Sequence, residues 1–163
     1  MPIDATHLLW FLPFTLPIAI WVAWSDMKFM KIPNKAVLAL LAVYLVVGLF
    51  VFPLKLWGWG WALAGIVLLI GFVTTLTGMV GAGDAKFAAA MAPFFTAADA
   101  RLVMVLFAAC ILAAITSHRI MRAVPRYRTA APDWESWTHK DFPMGLALAG
   151  ALIFYPVLSV WLA

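Results

Sequence analysis

Two acidic residues, Asp26 and Asp84, stand where long apolar stretches of this sequence break. A carboxylate is costly to keep in such surroundings, so each one needs a structural or a chemical reason. Two carboxyl groups that approach each other can share one proton, and such a pair can activate water to attack an amide. The residue types therefore suggest hydrolytic chemistry, on the condition that the fold brings the two positions together.

Asp26 also has a simpler interpretation, as a solvated loop acid in contact with neighbouring lysines. The sequence Lys31-Ile-Pro-Asn34 follows it and is predicted to form a turn that restarts the chain as a helix. Pro33 fixes its own φ and disfavours a helical conformation at the residue before it, and Asn34 is suited to cap the next helix. This turn either holds Asp26 in a fixed place or serves only as a loop.

Asp84 lies in the sequence Gly81-Ala-Gly-Asp84-Ala-Lys86. Gly81 and Gly83 permit a positive φ and a close approach of the backbone next to the acid. As an alternative to catalysis, Asp84 is suited to be the N-cap of the helix that follows. Lys86 either interacts with an acid or a substrate carboxylate, or anchors the chain at a membrane surface.

The composition predicts an integral membrane protein. Of the 163 residues, 66% are hydrophobic and only 11% are charged, and the mean hydropathy is +1.03. A soluble domain carries about 25% charged residues. The net charge of +4 does not indicate nucleic-acid binding, because the basic residues lie in short loops between apolar runs.

The sequence predicts neither a metal site nor a cofactor. Cys110 is the only cysteine, which excludes an intramolecular disulfide and a cysteine-based metal cluster. The three histidines, His7, His118 and His139, are scattered along the chain and do not form a ligand set.

Apolar runs of about 20 residues cross a bilayer as helices. The sequence predicts an all-α polytopic bundle of about six spans, at roughly 6–25, 35–53, 57–78, 85–97, 99–118 and 143–162. The fourth is short, since a helix from Asp84 to Thr96 rises only ~20 Å against a hydrocarbon thickness of ~30 Å. We expect it to cross, with Asp84 in a water-accessible cavity. We expect Asp99 to cap the fifth helix and His118 to close it.

The basic residues predict an orientation. With six spans, one side holds Lys55 and Arg101 alone, and the other holds the remaining nine basic residues. These nine are Lys28, Lys31, Lys35, Lys86, Arg119, Arg122, Arg126, Arg128 and Lys140. The richer side is expected to be cytoplasmic, so both Asp26 and Asp84 lie at the cytoplasmic boundary and both termini face away from it. Trp134 and Trp137, in the polar segment 118–142, are expected to lie at the membrane interface.

The motifs in this order resemble the prepilin peptidase (type IV leader peptidase) family of membrane aspartic proteases. The resemblance lies in Asp26 with the turn that ends at Asn34, in the Gly-x-Gly-Asp sequence that ends at Asp84, and in Phe142-Pro-Met-Gly145. It covers nearly the whole chain.

The resemblance implies a bacterial inner-membrane protease that removes the leader of type IV prepilins at the cytoplasmic face, beside the pilus-assembly machinery. By motif position, its catalytic residues are Asp26 and Asp84. The short form is similar to the peptidases of Flp/Tad-type pilus systems. Larger members carry an N-terminal region with paired cysteines that is associated with N-methylation. We therefore expect residues 1–163 to form a single transmembrane peptidase domain without methyltransferase activity.

Two other function classes remain open from the residues alone. A small proton-coupled transporter would also use membrane carboxylates, and it predicts ion flux that depends on Asp84. A non-catalytic assembly subunit would use Asp84 only as a helix cap, and it predicts that Asp84→Ser preserves function.

Overall fold

The computed structural model describes residues 5–162, and every regular element within that range is helical. The α-helices are α1 Leu12–Phe29, α2 Asn34–Val51, α3 Leu54–Leu76, α4 Ala82–Met91, α5 Ala100–Ala123, α6 Pro125–Ala130 and α7 Gly145–Trp161. Short 3-10 segments occur at Ala5–Phe11, Ala92–Phe95 and Glu135–Trp137. The predicted all-α membrane bundle is confirmed.

Four helices are long and apolar enough to cross a bilayer: Thr6–Phe29, Asn34–Val51, Leu54–Leu76 and Ala100–Ala123. They correspond to the first, second, third and fifth predicted spans. The sixth predicted span is the apolar helix α7, which has 17 residues. The fourth is the ten-residue helix α4, which the 3-10 segment Ala92–Phe95 extends.

Prolines and one aspartate determine where several helices begin. The Asp99 carboxylate accepts hydrogen bonds from the backbone N–H groups of Arg101 at 2.7 Å and Leu102 at 3.2 Å, which confirms the predicted cap of α5. The expected cap at Asn34 is wrong, because Pro33 holds the N-cap position with φ −67° and its carbonyl accepts the first helical N–H groups. The fifth helix also continues beyond His118 to Ala123, since no proline or glycine interrupts it there.

Helix α7 lies at the centre of the bundle, in contact with α1, α4 and α5. Its buried positions include the small residues Ala147, Ala149 and Ala151, which allow neighbouring helices to approach closely. By contrast, α3 lies at the edge and buries only Gly60. Its exposed side chains are apolar, as in Leu69 and Phe72, and suit contact with lipid.

The short helix α4 is enclosed by protein and contacts α2, α3 and α7. Its side chains Ala85, Phe87, Ala89, Ala90 and Met91 are buried.

The polar segment that follows α5 folds back over the bundle. Its 3-10 segment Glu135–Trp137 packs against α1. Trp137 is only 6% exposed, because its ring stacks on the rings of His118 and Trp134, and its place at the membrane interface stays a prediction.

Candidate active site

Asp26 lies in the last turn of α1, and its side chain is 5% exposed. Its Oδ2 accepts a hydrogen bond of 2.6 Å from the backbone N–H of Gly145. The alternative of a solvated loop acid is therefore wrong, since the carboxyl group is enclosed between α1 and the start of α7. The nearby Lys28 pairs with Asp133 instead, at 2.7 Å.

The turn after α1 holds the C-terminal end of that helix in place through hydrogen bonds. Met30 adopts the left-handed conformation with φ 49°, and its N–H donates to the carbonyl of Asp26. The Ser25 hydroxyl donates to the carbonyl of Lys31 at 2.8 Å. The last turn of α1 and the loop that follows are thus joined by hydrogen bonds on both sides of Asp26.

Gly145 is suited to its place because it has no side chain. A Cβ atom at this position would lie 2.8 Å from Cβ of Asp26 and 2.9 Å from its Oδ2. Gly145 is the first residue of α7, so its N–H is among the donors that a helix leaves unpaired at its N-terminus. A carboxylate at this end also interacts favourably with the helix dipole.

Asp84 lies in the first turn of α4, where it is half-buried. The alternative that Asp84 caps this helix is wrong, because Gly81 holds the N-cap position. The carboxyl group of Asp84 instead folds back over Gly81. A Cβ atom added to Gly81 would lie 2.7 Å from Oδ2 of Asp84. Gly81 therefore provides the expected close approach, but its φ is −66° and it does not need positive φ.

The two carboxyl groups interact electrostatically. Burial and, to a smaller extent, the negative charge of Asp26 raise the pKa of Asp84, and a hydrogen bond with the Gly81 backbone opposes them, so that the pKa is about 6. Asp84 lies outside the four helices that are long enough to cross the membrane. Because a carboxyl group ordinarily titrates near pH 4, Asp84 retains its proton under conditions where an exposed aspartate has lost it.

The supporting residues predicted from sequence divide into two groups. Gly83 lies against Ile32, because a Cβ atom added to Gly83 would be 3.4 Å from the Cβ atom of Ile32. The turn that contains Ile32 and Pro33 therefore contacts the start of α4. Asn34 and Lys86 have exposed side chains, and Lys86 forms no ion pair with any residue in the range 5–162.

Sequence reasoning missed the backbone donor at Gly145, although it singled out the segment that contains it. The signal was a glycine placed where an apolar helix begins. It also missed His118, which is 5% exposed and packed on Trp137 at the same end of the bundle. Nothing in the spacing of His118 distinguishes it from a residue that ends a helix.

The arrangement has the parts needed for acid–base chemistry. Two carboxyl groups in different environments can divide the roles of proton donor and proton acceptor. No group of three His, Cys, Asp or Glu side chains lies close enough together to hold a metal ion among the described residues.

Comparison with known proteins gives one result. The model of the type IV leader peptidase family matches residues 13–118, which include both Asp26 and Asp84. No curated protein matches the chain. No solved structure matches it either.

Proposed function

This chain belongs to the type IV leader peptidase family, and on that premise we propose that it is an aspartic endopeptidase with Asp26 and Asp84 as its catalytic residues. Membership makes the protein a membrane protease with a leader-peptidase type of function. The observation that carries the aspartic mechanism is the contact between the turn after Asp26 and the start of α4, where Ile32 lies against Gly83, the residue before Asp84. The negative charge of Asp26 also raises the pKa of Asp84.

The environments of the two acids support different roles. Asp84 holds its proton up to a pH of about 6 and is therefore the proposed general acid. As the partner of a protonated Asp84, Asp26 is the proposed general base, and its Oδ2 accepts an N–H hydrogen bond from Gly145 that holds the carboxyl group in place.

The proposed reaction begins when Asp26 removes a proton from water and the water oxygen attacks the carbonyl carbon of the scissile peptide bond. Asp84 donates a hydrogen bond to the carbonyl oxygen, where negative charge develops. The C–N bond then breaks, and the leaving amine takes the proton that Asp26 removed from water. No metal ion takes part in this scheme.

The proposed substrates are type IV prepilins, in particular the Flp/Tad-like kind, cleaved at the cytoplasmic face of the bacterial inner membrane. The side assignment is supported by nine of the eleven basic residues lying on the side of the two acids. We further propose that residues 1–163 form a single peptidase domain.

The test is co-expression with candidate prepilins, with leader loss followed by mass. Asp26→Asn and Asp84→Asn keep the side-chain shape but remove the acid, so each should lower the cleavage rate by on the order of 10³-fold while the protein still accumulates in the membrane. The matched control is Asp99→Asn, which keeps the N-cap of α5 and should cleave normally. Cleavage at the wild-type rate by either of the first two variants would contradict the assignment.

A further inference from the structure

Residues 131–144, called the strap below, connect α6 to α7 and lie over the end of the bundle that holds Asp26. The strap has internal structure of its own. The indole N–H of Trp137 donates to the carbonyl of Ala131 at 2.7 Å, and the rings of Trp134 and Trp137 stack with centroids 5.5 Å apart. Its 3-10 segment packs on α1, where Lys28 pairs with Asp133.

His118 of α5 contacts the strap at three points. Its ring lies parallel to that of Trp137, at 5.7 Å between centroids and 10° between planes. Phe142 meets the same ring by its edge, at 5.8 Å and 76°. The imidazole also faces the backbone of Ser136. One side chain of α5 therefore fixes both the middle and the end of the strap.

The end of the strap leads directly to the candidate active site. Phe142 is followed by the fully buried Pro143, by Met144 and then by Gly145, whose N–H donates to Asp26. Pro143 fixes its own φ, which limits how the backbone between Phe142 and Gly145 can rearrange.

We infer that His118 is a positioning residue of the cleavage reaction, which holds the strap so that the Gly145 N–H meets the Asp26 carboxyl group. This inference depends on the proposed function for its kinetic consequence. The structural part, that His118 holds Gly145 in place, depends only on the contacts described above.

The inference assigns the positioning to the stacked ring of His118 and not to a hydrogen bond or a proton of its Nε2. Its Nε2 is buried and has no hydrogen-bond partner among the described residues. An unpaired buried nitrogen destabilises the folded state, so phenylalanine would fill the same space at lower cost. This difference provides a conservative variant: His118→Phe retains the stacked ring, whereas His118→Ala removes it.

The experiment combines hydrogen exchange at the Gly145 amide with steady-state cleavage of a prepilin by purified, folded enzyme. For His118→Ala we expect faster exchange at Gly145 and a kcat lower by about 10- to 100-fold, with KM within about 3-fold of wild type, because a misplaced catalytic group affects the chemical step. His118→Phe should exceed His118→Ala in kcat by at least about 10-fold. The matched control is Ile120→Ala on the exposed face of α5, which should change neither quantity.

Unchanged exchange at Gly145 in His118→Ala would overturn the inference. Faster exchange together with an unchanged kcat would overturn it as well, because the strap would then have no effect on the reaction. If the alanine variant does not accumulate, Phe142→Leu tests the same connection with little loss of apolar volume. A wild-type enzyme that cleaves no prepilin would contradict the proposed function, while the exchange comparison would still decide whether His118 holds Gly145.

Discussion

The surroundings of Asp26 and Asp84 differ in a way that suits separate roles as proton acceptor and proton donor. Asp26 is enclosed and receives a backbone N–H, whereas Asp84 is half-buried in the first turn of a helix. Pairs of titratable groups whose environments differ in this way are typical of acid–base catalysis. The sequence does not indicate which of the two aspartates holds a proton, because that depends on what surrounds each one in the fold.

The raised pKa of Asp84 predicts a pH dependence of cleavage. Since the folded protein holds this proton up to a pH of about 6, the proposed general acid, protonated Asp84, is present below that value and is lost as the pH rises through it. We therefore expect the cleavage rate of the purified enzyme to fall on the alkaline side as the shared proton leaves the pair. The measurement is a rate–pH profile in detergent, and a rate that stays constant from pH 5 to about 9 would contradict it.

The close contact at Gly145 predicts that even a methyl group is harmful there. Gly145→Ala would place a Cβ atom 2.8 Å from Cβ of Asp26, so α1 and α7 must move apart and the N–H contact with Asp26 must lengthen. We expect cleavage to fall by on the order of 10²-fold, measured per mole of folded protein. Gly65→Ala is the control, because a Cβ atom there meets nothing within 4 Å and alanine favours the helix. Equal rates for the two variants would argue against a role of the contact.

At the scale of elements, the position of α4 decides where Asp84 lies. This helix packs on α3 at Gly71, where a Cβ atom would lie 2.8 Å from that of Ala85, the residue after Asp84. Small residues at such contacts allow two helix backbones to approach closely in a membrane. The separation of α3 and α4 is therefore coupled to the location of the acid.

This contact predicts the effect of a larger residue on α3. Gly71→Leu should displace the start of α4 and lower cleavage by at least about 10-fold, because overpacking at a close contact also forces backbone shifts. The control is Gly58→Leu on the same helix. A Cβ atom at Gly58 has no neighbour within 4 Å, so this variant should cleave at the wild-type rate. Thermal denaturation of both variants separates a local shift from global unfolding. A Gly71→Leu enzyme as active as the control would show that α4 tolerates displacement.

For the whole molecule, the membrane explains why so much apolar surface stays exposed. Phe50 is 82% exposed and Leu69 is 66% exposed, although both belong to long apolar helices. In a bilayer these side chains contact lipid, so burial inside the protein is not required of them. The polar groups are concentrated at the helix ends, and one of these ends holds both acids.

The proposed orientation predicts which ends of the molecule face the cytoplasm. In a Cys110→Ser background, Lys55→Cys at the start of α3 should react with a membrane-impermeant maleimide added to spheroplasts. His139→Cys in the strap should react only after the membrane is permeabilised, because the strap lies on the side rich in basic residues. Both positions have exposed side chains, so burial does not account for a difference. The reverse pattern of labelling would contradict the cytoplasmic assignment of the site.

The sequence by itself determined the class of protein, the approximate positions of the long helices and the Asp99 cap. These features depend on hydropathy and on local hydrogen bonds, which neighbouring residues specify. It also indicated that Asp26 and Asp84 belong to one function, although their catalytic role stays a prediction. Local patterns were less successful at Asn34 and Asp84, where the residue expected to cap a helix lies inside it.

Only the tertiary structure decided what surrounds each acid. The N–H that meets Asp26 comes from Gly145, which lies 119 residues away along the chain. The burial of Trp137 against His118 likewise depends on how the strap folds back over α1 and α5. Such contacts join parts of the chain that have no local relation in sequence. They are set by packing between helices, which residue spacing along one helix does not encode.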